Sequence, residues 1–517
     1  MAQKSIGVDG GVTADPIWKL VLSRSGQTTR GYDRERIRQI RETEEDDSQI
    51  LEVLLDNSDQ ALIALNFERF QGIFSSGYNT GVARTAWAAN TVYAVNDIRV
   101  PTTANANGYQ YRCSVAGTSH ATTEPTWGTA LGVTQTDGTV TWEMDGNVGD
   151  EYSICAPFKV ESQEFLSGMG VLLCQLYCIG KPNQMGQDKA ESRYTQISAD
   201  TNTVKTLITA IAQKTLTPYT NYTSVTATYD SEDSLISTFI PADFFSVETN
   251  ESRLEKTKEL LAYTGCKQRY RDDGQLHILD PVTTGVTYDY EYKFDVSGDH
   301  TFFSKAVRER FVNPNKEIVK SHEDHTPQYS GSATSATSFA LDVKIRTTLR
   351  RLASNAQGTS IAEAMIEQTE LASERGSITV PMNAGQEVWD YVKVTDSRQG
   401  DTRTGNVQRI QRRIKIPEGR EPLTWEMEIR FGRVSELSLL SQYAAGGSQV
   451  AASGADRYAL LAANIGELSD NLIALARTYD NLRVAHNSLV ARFNELIKFG
   501  AVMPRLHVTE QLIIPVE

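Results

Sequence analysis

The sequence predicts a mainly β protein with α+β portions, a small all-β module inserted into its first domain, and a long C-terminal helix. Three observations lead there. Short apolar runs, cut by Ser-Gly, Asn-Ser-Asp and Asp-Asp-Gly turns, recur over most of the chain. A segment rich in Thr, Gly, Asn and aromatics, and poor in charge, interrupts the first set of runs. Six unbroken heptads of seam residues stand near the C-terminus.

The strand runs begin with IWKLVLSRSG, SQILEVLLDNSD and QALIALNFERF and resume after Asp150 with YSICAPFKVESQEF and GMGVLLCQLYCIG. Between them, from Ala83 to Gly149, the composition shifts and three of the six tryptophans appear. After Pro182, TNTVKTLITAIAQKT reads as an amphipathic helix. ESRLEKTKELLAYTG carries Ser252 and Glu255 at capping-box spacing and closes on Gly265. Asp272-Asp273-Gly274 then marks a hairpin turn. GSATSATS at 331–338 reads as a loop or edge, and a helix is expected over about 360–374. ITVPM, VWDYVKVTD, VQRIQRRIKI and LTWEMEIRFG alternate at period 2 and read as a closing barrel or sheet.

From about residue 455 to 498 there is no proline and one glycine. Leu461, Leu468, Leu475, Leu482, Leu489 and Leu496 recur at every seventh residue, offset from Tyr458, Ile465, Leu472, Tyr479, His486 and Phe493. A period of 3.5 keeps one seam on a partner helix, and the small or apolar flanks widen the buried stripe toward three strands. The alternative is a single long helix packed on its own chain. His486 reads as a polar residue that sets register.

Composition removes several function classes. With 517 residues, 40% hydrophobic and 22% charged, the chain is an ordinary globular one of roughly three or four domains. It has no apolar run of about 18 residues, so no membrane span is expected, and its first residues lack a secretory h-region. Five scattered cysteines fit assembly in a reducing cytoplasm. The net charge of −14 and the short, interleaved basic runs argue against stable nucleic-acid binding. Phosphate-loop, zincin and C-x-x-C patterns are absent. His322-Glu323-Asp324-His325 sits in the polar stretch SHEDHTPQ and reads as an exposed loop. No catalytic residue, metal site or cofactor is assigned.

The order of the segments carries a resemblance. IWKLVLSRSG, QALIALNFERF and EYSICAPFKVESQEFLSG resemble the first barrel of phage tail hub proteins. ESRLEKTKELLAYTGCKQRYRDDGQLHILDP is similar to their helix-plus-hairpin unit, and VWDYVKVTDSRQGDTRTGNVQRIQRRI with LTWEMEIRFG to their last barrel. The resemblance implies two hub-type β barrels per chain and a homotrimer whose barrels ring the tail channel, adapting the sixfold tube to a threefold tip. It also implies partners among the distal tail ring, the tape measure and the tip or fibre proteins, with DNA passing through without stable binding. The protein is then expected at the virion tail tip, assembled in the host cytoplasm.

Within the insertion, Trp87, Tyr93 and Asp97, then GYQYRC, GTS, EPTW and DGTVTW, resemble small carbohydrate-binding modules; Asn96 stands where those modules usually have glycine. Trp87, Tyr111 and Trp142 are assigned to the module core, and Trp127 and Tyr93 to stacking on a host-surface glycan. The expected domains are 1–82 plus 150–182 (first barrel), 83–149 (inserted module), 183–300 (α+β) and 301–434 (second barrel with a helix). A Gly/Ala/Ser hinge at 435–454, the coiled-coil helix at 455–499 and a terminal strand at 500–517 follow. The leading function is a structural hub; a glycan-binding adhesin and a tail-borne hydrolase are the alternatives.

Overall fold

The computed structural model describes residues 15–168, 171–294, 301–307, 311–374, 376–416 and 423–432. The expected hinge, terminal strand and coiled-coil seam from Tyr458 to Leu496 lie outside these residues. The described chain is mainly β, as the alternating runs predict.

The first strands are β1 (Asp15–Ser23), β2 (Arg30–Asp33), β3 (Ile37–Glu45), β4 (Gln49–Asp56) and β5 (Gln71–Asn79). In β4, Leu51, Val53 and Leu55 are buried while Ile50, Glu52 and Leu54 are half-buried, the period-2 pattern of a sheet with one covered face. The inserted module follows: β6 (Val92–Tyr93), β7 (Ile98–Arg99), β8 (Tyr109–Val115), β9 (Gly117–Thr118), β10 (Thr134–Asp137) and β11 (Val140–Asn147). The chain then returns through β12 (Asp150–Ile154), β13 (Phe158–Gly168) and β14 (Val171–Ile179). Asn79 pairs with Asp150 across β5 and β12, so the module is spliced into one hairpin. A side chain at Gly77 would meet the Glu151 carbonyl oxygen at 1.8 Å, which makes glycine obligatory there.

Next come α1 (Lys181–Gln187), β15 (Tyr194–Thr195), α2 (Val204–Ala212), β16 (Ala227–Tyr229), α3 (Ser234–Thr238), β17 (Ser246–Val247), α4 (Arg253–Leu261), β18 (Lys267–Tyr270) and β19 (Leu276–Leu279). The Ser252–Glu255 capping box forms at α4. Gly265 is not its C-cap, because the helix ends on Ala262; the Gly265 amide instead donates to Asp233 Oδ2 at 2.6 Å. Arg253 is buried and donates to the Ile211 and Ala212 carbonyls, adding to the backbone bonds that Lys214 and Val225 make at the C-terminus of α2.

The last elements are β20 (Tyr290–Phe294), β21 (Ser304–Val307), β22 (Lys316–Lys320), β23 (Ser330–Thr334), α5 (Ala336–Leu341), β24 (Ile345–Leu349), α6 (Asn355–Ser373), β25 (Gly376–Pro381), β26 (Tyr391–Asp396), β27 (Asp401–Lys415) and β28 (Thr424–Phe431). Helix α6 starts earlier than predicted because Ser354 accepts from the Gln357 amide as its N-cap. The domain border expected at residue 300 is not a border of packing: Val319, Leu352, Ile361 and Ala362 join the core built by α2, α4 and β19.

The two expected sets of barrel strands are not separate sheets. β3 pairs antiparallel with β27, giving one hydrogen-bonded sheet in the order β2-β1-β5-β13-β14-β4-β3-β27-β28-β25-β21. One apolar core runs beneath it, from Leu20, Val53 and Phe74 to Val392, Ile410 and Met427. At the seam, buried Arg412 reaches Glu42 at 2.9 Å, Glu44 at 3.0 Å and the Gln386 carbonyl at 2.5 Å. A second clasp links the halves: Trp425 Nε1 donates to Tyr78 Oη at 2.9 Å, and Tyr78 Oη donates to the Met382 carbonyl at 2.7 Å.

Burial pushes the Glu44 carboxyl up, opposed by Arg412 and reinforced by Glu42, to about 7. A carboxyl raised in the fold stabilises most below its unfolded value near 4.5, and that contribution is lost as pH rises through about 7. Glu44→Gln should therefore gain stability relative to the parent at pH 8, by about 1–3 kcal/mol more than at pH 5. Urea unfolding at the two pH values checks this; an equal offset at both contradicts it. Arg412→Met strands both carboxylates and should cost about 3–5 kcal/mol at pH 8.

Candidate functional site

The inserted module carried the only ligand-binding residues the sequence suggested. Its sheet runs β10-β11-β8-β7, with β6 pairing β9 beside it. Trp87, Tyr93, Tyr111, Trp127, Trp142, Val140 and Met144 form its core. Tyr111 and Trp127 lie 4.3 Å apart at their ring centroids, Tyr93 and Trp142 at 4.9 Å, and Trp127 and Trp142 at 5.9 Å. Asp137 Oδ2 accepts from both Trp87 Nε1 (2.7 Å) and Trp142 Nε1 (3.0 Å). Trp127 Nε1 donates to Glu124 Oε1 at 2.7 Å. Burial works against ionised Glu124, but Thr102, Asn105 and Trp127 as donors hold its carboxyl below the usual range.

This arrangement corrects the stacking assignment. Trp127 is 9% exposed and Tyr93 1%, so neither offers a free ring face to a sugar. A module of this size has few other large side chains, and its aromatics supply the core. Asn96 takes a φ of 73°, which explains why a glycine suits that position and why Asn, tolerant of left-handed backbone, replaces it.

What the sequence did not reveal is how the module is held. Strand β1 is buried on both faces: Trp18, Leu20 and Leu22 enter the main core, while Ile17, Lys19 and Val21 lie on the opposite face. There the Leu131–Gly132 turn packs so closely that a side chain on Gly132 would strike Val21 at 2.5 Å, and one on Gly31 would strike Leu131. Lys19, 2% exposed, ion-pairs with Asp145 of β11 at 2.7 Å and sits 3.9 Å over the Tyr152 ring. Asp145 also accepts from Gln110 Nε2 at 3.1 Å and Arg112 Nε at 3.3 Å. Burial disfavours its charge, but Lys19 and Arg112 outweigh that and hold the carboxyl below its ordinary value. A lone lysine in an apolar strand run was the available signal, since a buried lysine requires a buried acid.

Other charged groups are paired within the chain. Beside the seam, Arg409 pairs with Glu45 (3.3 Å), Arg413 with Glu426 (3.5 Å) and Glu428 (3.4 Å), and Arg430 with Glu428 (2.6 Å). These pairs neutralise the seam arginines locally. His322 and Asp324 lie in an exposed loop, 3.3 Å apart. Among the described residues, no group of three or more His, Cys, Asp or Glu side chains is placed to hold a metal ion. Among them, too, no helix is long and apolar enough to cross a membrane.

Asp145→Leu leaves Lys19 charged and buried, and should lower unfolding stability by about 3–5 kcal/mol. Lys19→Met combined with Asp145→Leu should recover most of that loss, because the double change removes both charges. Urea titration of the three variants checks the cycle; a double variant as unstable as Asp145→Leu alone would show that the pair does not carry the docking.

No protein-family model and no curated protein matches the chain. Three solved structures similar to it are those of tail or secretion proteins. A tail protein from Neisseria meningitidis is 9% identical, with a TM-score of 0.47, over 80% of this chain and 96% of that one. The 43 kDa tail protein of a Shewanella oneidensis prophage is 11% identical, with a TM-score of 0.42, over 80% and 98%. A component of the Escherichia coli type VI secretion system is 9% identical, with a TM-score of 0.38, over 81% and 77%.

Proposed function

We propose that the protein is a structural subunit of a phage-like tail tip, acting as a homotrimeric hub ring around the DNA channel and not as an enzyme. The observation that carries this reading is the β3–β27 ladder. It makes one chain a rigid pair of strand assemblies, so that three chains supply six units, the number needed to meet a sixfold tube while keeping a threefold tip. The order of hub-like segments in the sequence supports the same reading. The partners are other tail proteins: the distal ring, the tape measure and the tip or fibre proteins. The site of action is the virion tail tip, after assembly in the host cytoplasm.

The module serves this ring as a docked cover for β1, and its aromatic set serves its own core. DNA passes without stable binding, because the net charge of each copy is −14 and the seam-side arginines are already paired with glutamates. The leucine heptads from Leu461 to Leu496 supply the threefold contact, with their seam buried among three copies.

Sedimentation equilibrium of the full chain should return three chain masses. Leu475→Asp with Leu482→Asp should return one, because each added carboxylate would be buried unpaired. A parent chain that stays monomeric at assembly concentrations contradicts the ring. A double variant that stays trimeric contradicts the heptad seam alone.

A further inference from the structure

The segment from Met382 to Asp390 joins β25 to β26 and is buried along its length except at Glu387, which is half-buried. Two arginines from different strands grip its backbone. From the sheet side, Arg412 of β27 donates to the Gln386 carbonyl; from β18, Arg269, 2% exposed, donates to the Val388 carbonyl at 3.1 Å. Trp389 adds a third link, its Nε1 donating to the Gln268 carbonyl of β18 at 3.0 Å. It holds a φ of 71°, in the left-handed region that a bulky residue seldom adopts, so its surroundings keep the segment in this shape.

Around this grip, carboxylates outnumber arginines. Arg269 lies 3.2 Å from Glu387, 3.5 Å from Asp390 and 3.9 Å from Asp230, and Arg271 lies 3.1 Å from Glu387. From β19, His277 faces Asp230 at 2.9 Å and Asp273 at 3.0 Å. Lys267 stands 5.2 Å over the Trp389 ring, and Tyr292 Oη donates to Gln386 Oε1 at 2.7 Å. On the sheet side, Arg412 meets both Glu42 and Glu44. Asp390 is the most buried acid beside Arg269; its Oδ2 accepts from Gln386 Nε2 at 2.6 Å and from the Glu387 amide at 2.9 Å. Burial pushes its carboxyl up to about 8, with Glu387 and Asp289 reinforcing this and the Glu387 amide and Arg269 opposing it.

We propose that residues 386–390 form a proton-operated latch between the strand sheet and the β18–β19 hairpin, closed while Asp390 is protonated and loosened when it ionises. Protonated, Asp390 adds no charge beside Glu387. Ionised, it sets a second carboxylate against Glu387 in the interior, where Arg269 is shared among three acids and salt screens little. The Arg269 and Trp389 links to β18 then give way, while the β3–β27 ladder stays paired. A carboxyl raised in the fold contributes most stability below its ordinary value near 3.8, and that contribution is lost as pH rises through about 8. The latch is tightest in acid. It lies within one chain and is independent of the ring.

Native-state hydrogen exchange of the full chain tests the latch, with each rate corrected for the intrinsic effect of pH. The Glu387 and Asp390 amides, bonded to Asp390 Oδ2 and the Glu387 carbonyl, read the latch; the Ile410 and Ile414 amides read the seam. The latch amides should open at lower free energy than the seam amides, with an opening constant that rises about tenfold per pH unit between about pH 6 and 8. Asp390→Asn keeps an acceptor for the same donors and has no proton to lose, so its latch opening should change by less than about threefold over that range. Latch amides that exchange only together with the seam overturn the proposal, as does a latch opening in the parent chain that ignores pH. An Asp390→Asn chain that keeps the tenfold slope assigns the proton to another group and overturns it too.

Discussion

Arg412 stands directly opposite Glu42 where β27 pairs with β3, and its guanidinium spans Glu42 and Glu44 in the interior. Burying three charges is a costly way to gain stability, since apolar residues of similar size would serve as well or better. What the cluster adds is register. A one-residue slip of β27 against β3 would turn Arg412 out to solvent and bring Arg413 or Gln411 into the core. It would also pull the seam away from Gln386, whose carbonyl accepts from the same guanidinium. The strands on either side of the seam share one core, and this register sets Ile414 opposite Ile40, which in turn pairs with Val53.

The outer face of the seam shows the same logic in solvent. Arg413 and Arg41 face each other across the strands, a like-charge pair that disfavours the ladder by itself. Glu426 and Glu428 on β28 reach Arg413, and Glu52 sits opposite Arg41 on β4. Four strands thus settle the charges of one another, which ties the two halves of the sheet together on both faces. The inserted module follows a parallel rule at β1, where Lys19 and Asp145 fix a tight glycine-lined contact in one position.

Much of this was legible in the sequence because it is local. Ser252 and Glu255 wrote the start of α4, Asp272-Asp273-Gly274 wrote the β18–β19 turn, and the composition shift near Ala83 marked the insertion within a few residues of the β5–β12 splice. The misreadings share a physical cause: each depended on contacts between distant segments. Trp127 is assigned to stacking by its sequence, but Tyr111, Trp142 and Glu124 close around it. The pairing of residue 412 with residue 42 leaves no periodic trace, since an arginine in an alternating strand looks the same whether it faces water or a buried glutamate. The helix over 355–373 was read as part of a second barrel, yet Ile361 and Ala362 pack with the helices of the preceding segment.

The central claim is that the two halves of the sheet form one body through β3 and β27. Native-state hydrogen exchange, resolved to single amides, measures this directly. The account predicts that the amides of Ile410, Arg412 and Ile414 exchange only with global unfolding, with the same opening free energy as the amides of β4 and β28. Exchange of those seam amides through a lower-energy opening, with β4 and β28 still protected, would mean that the halves separate and close independently, and would contradict it.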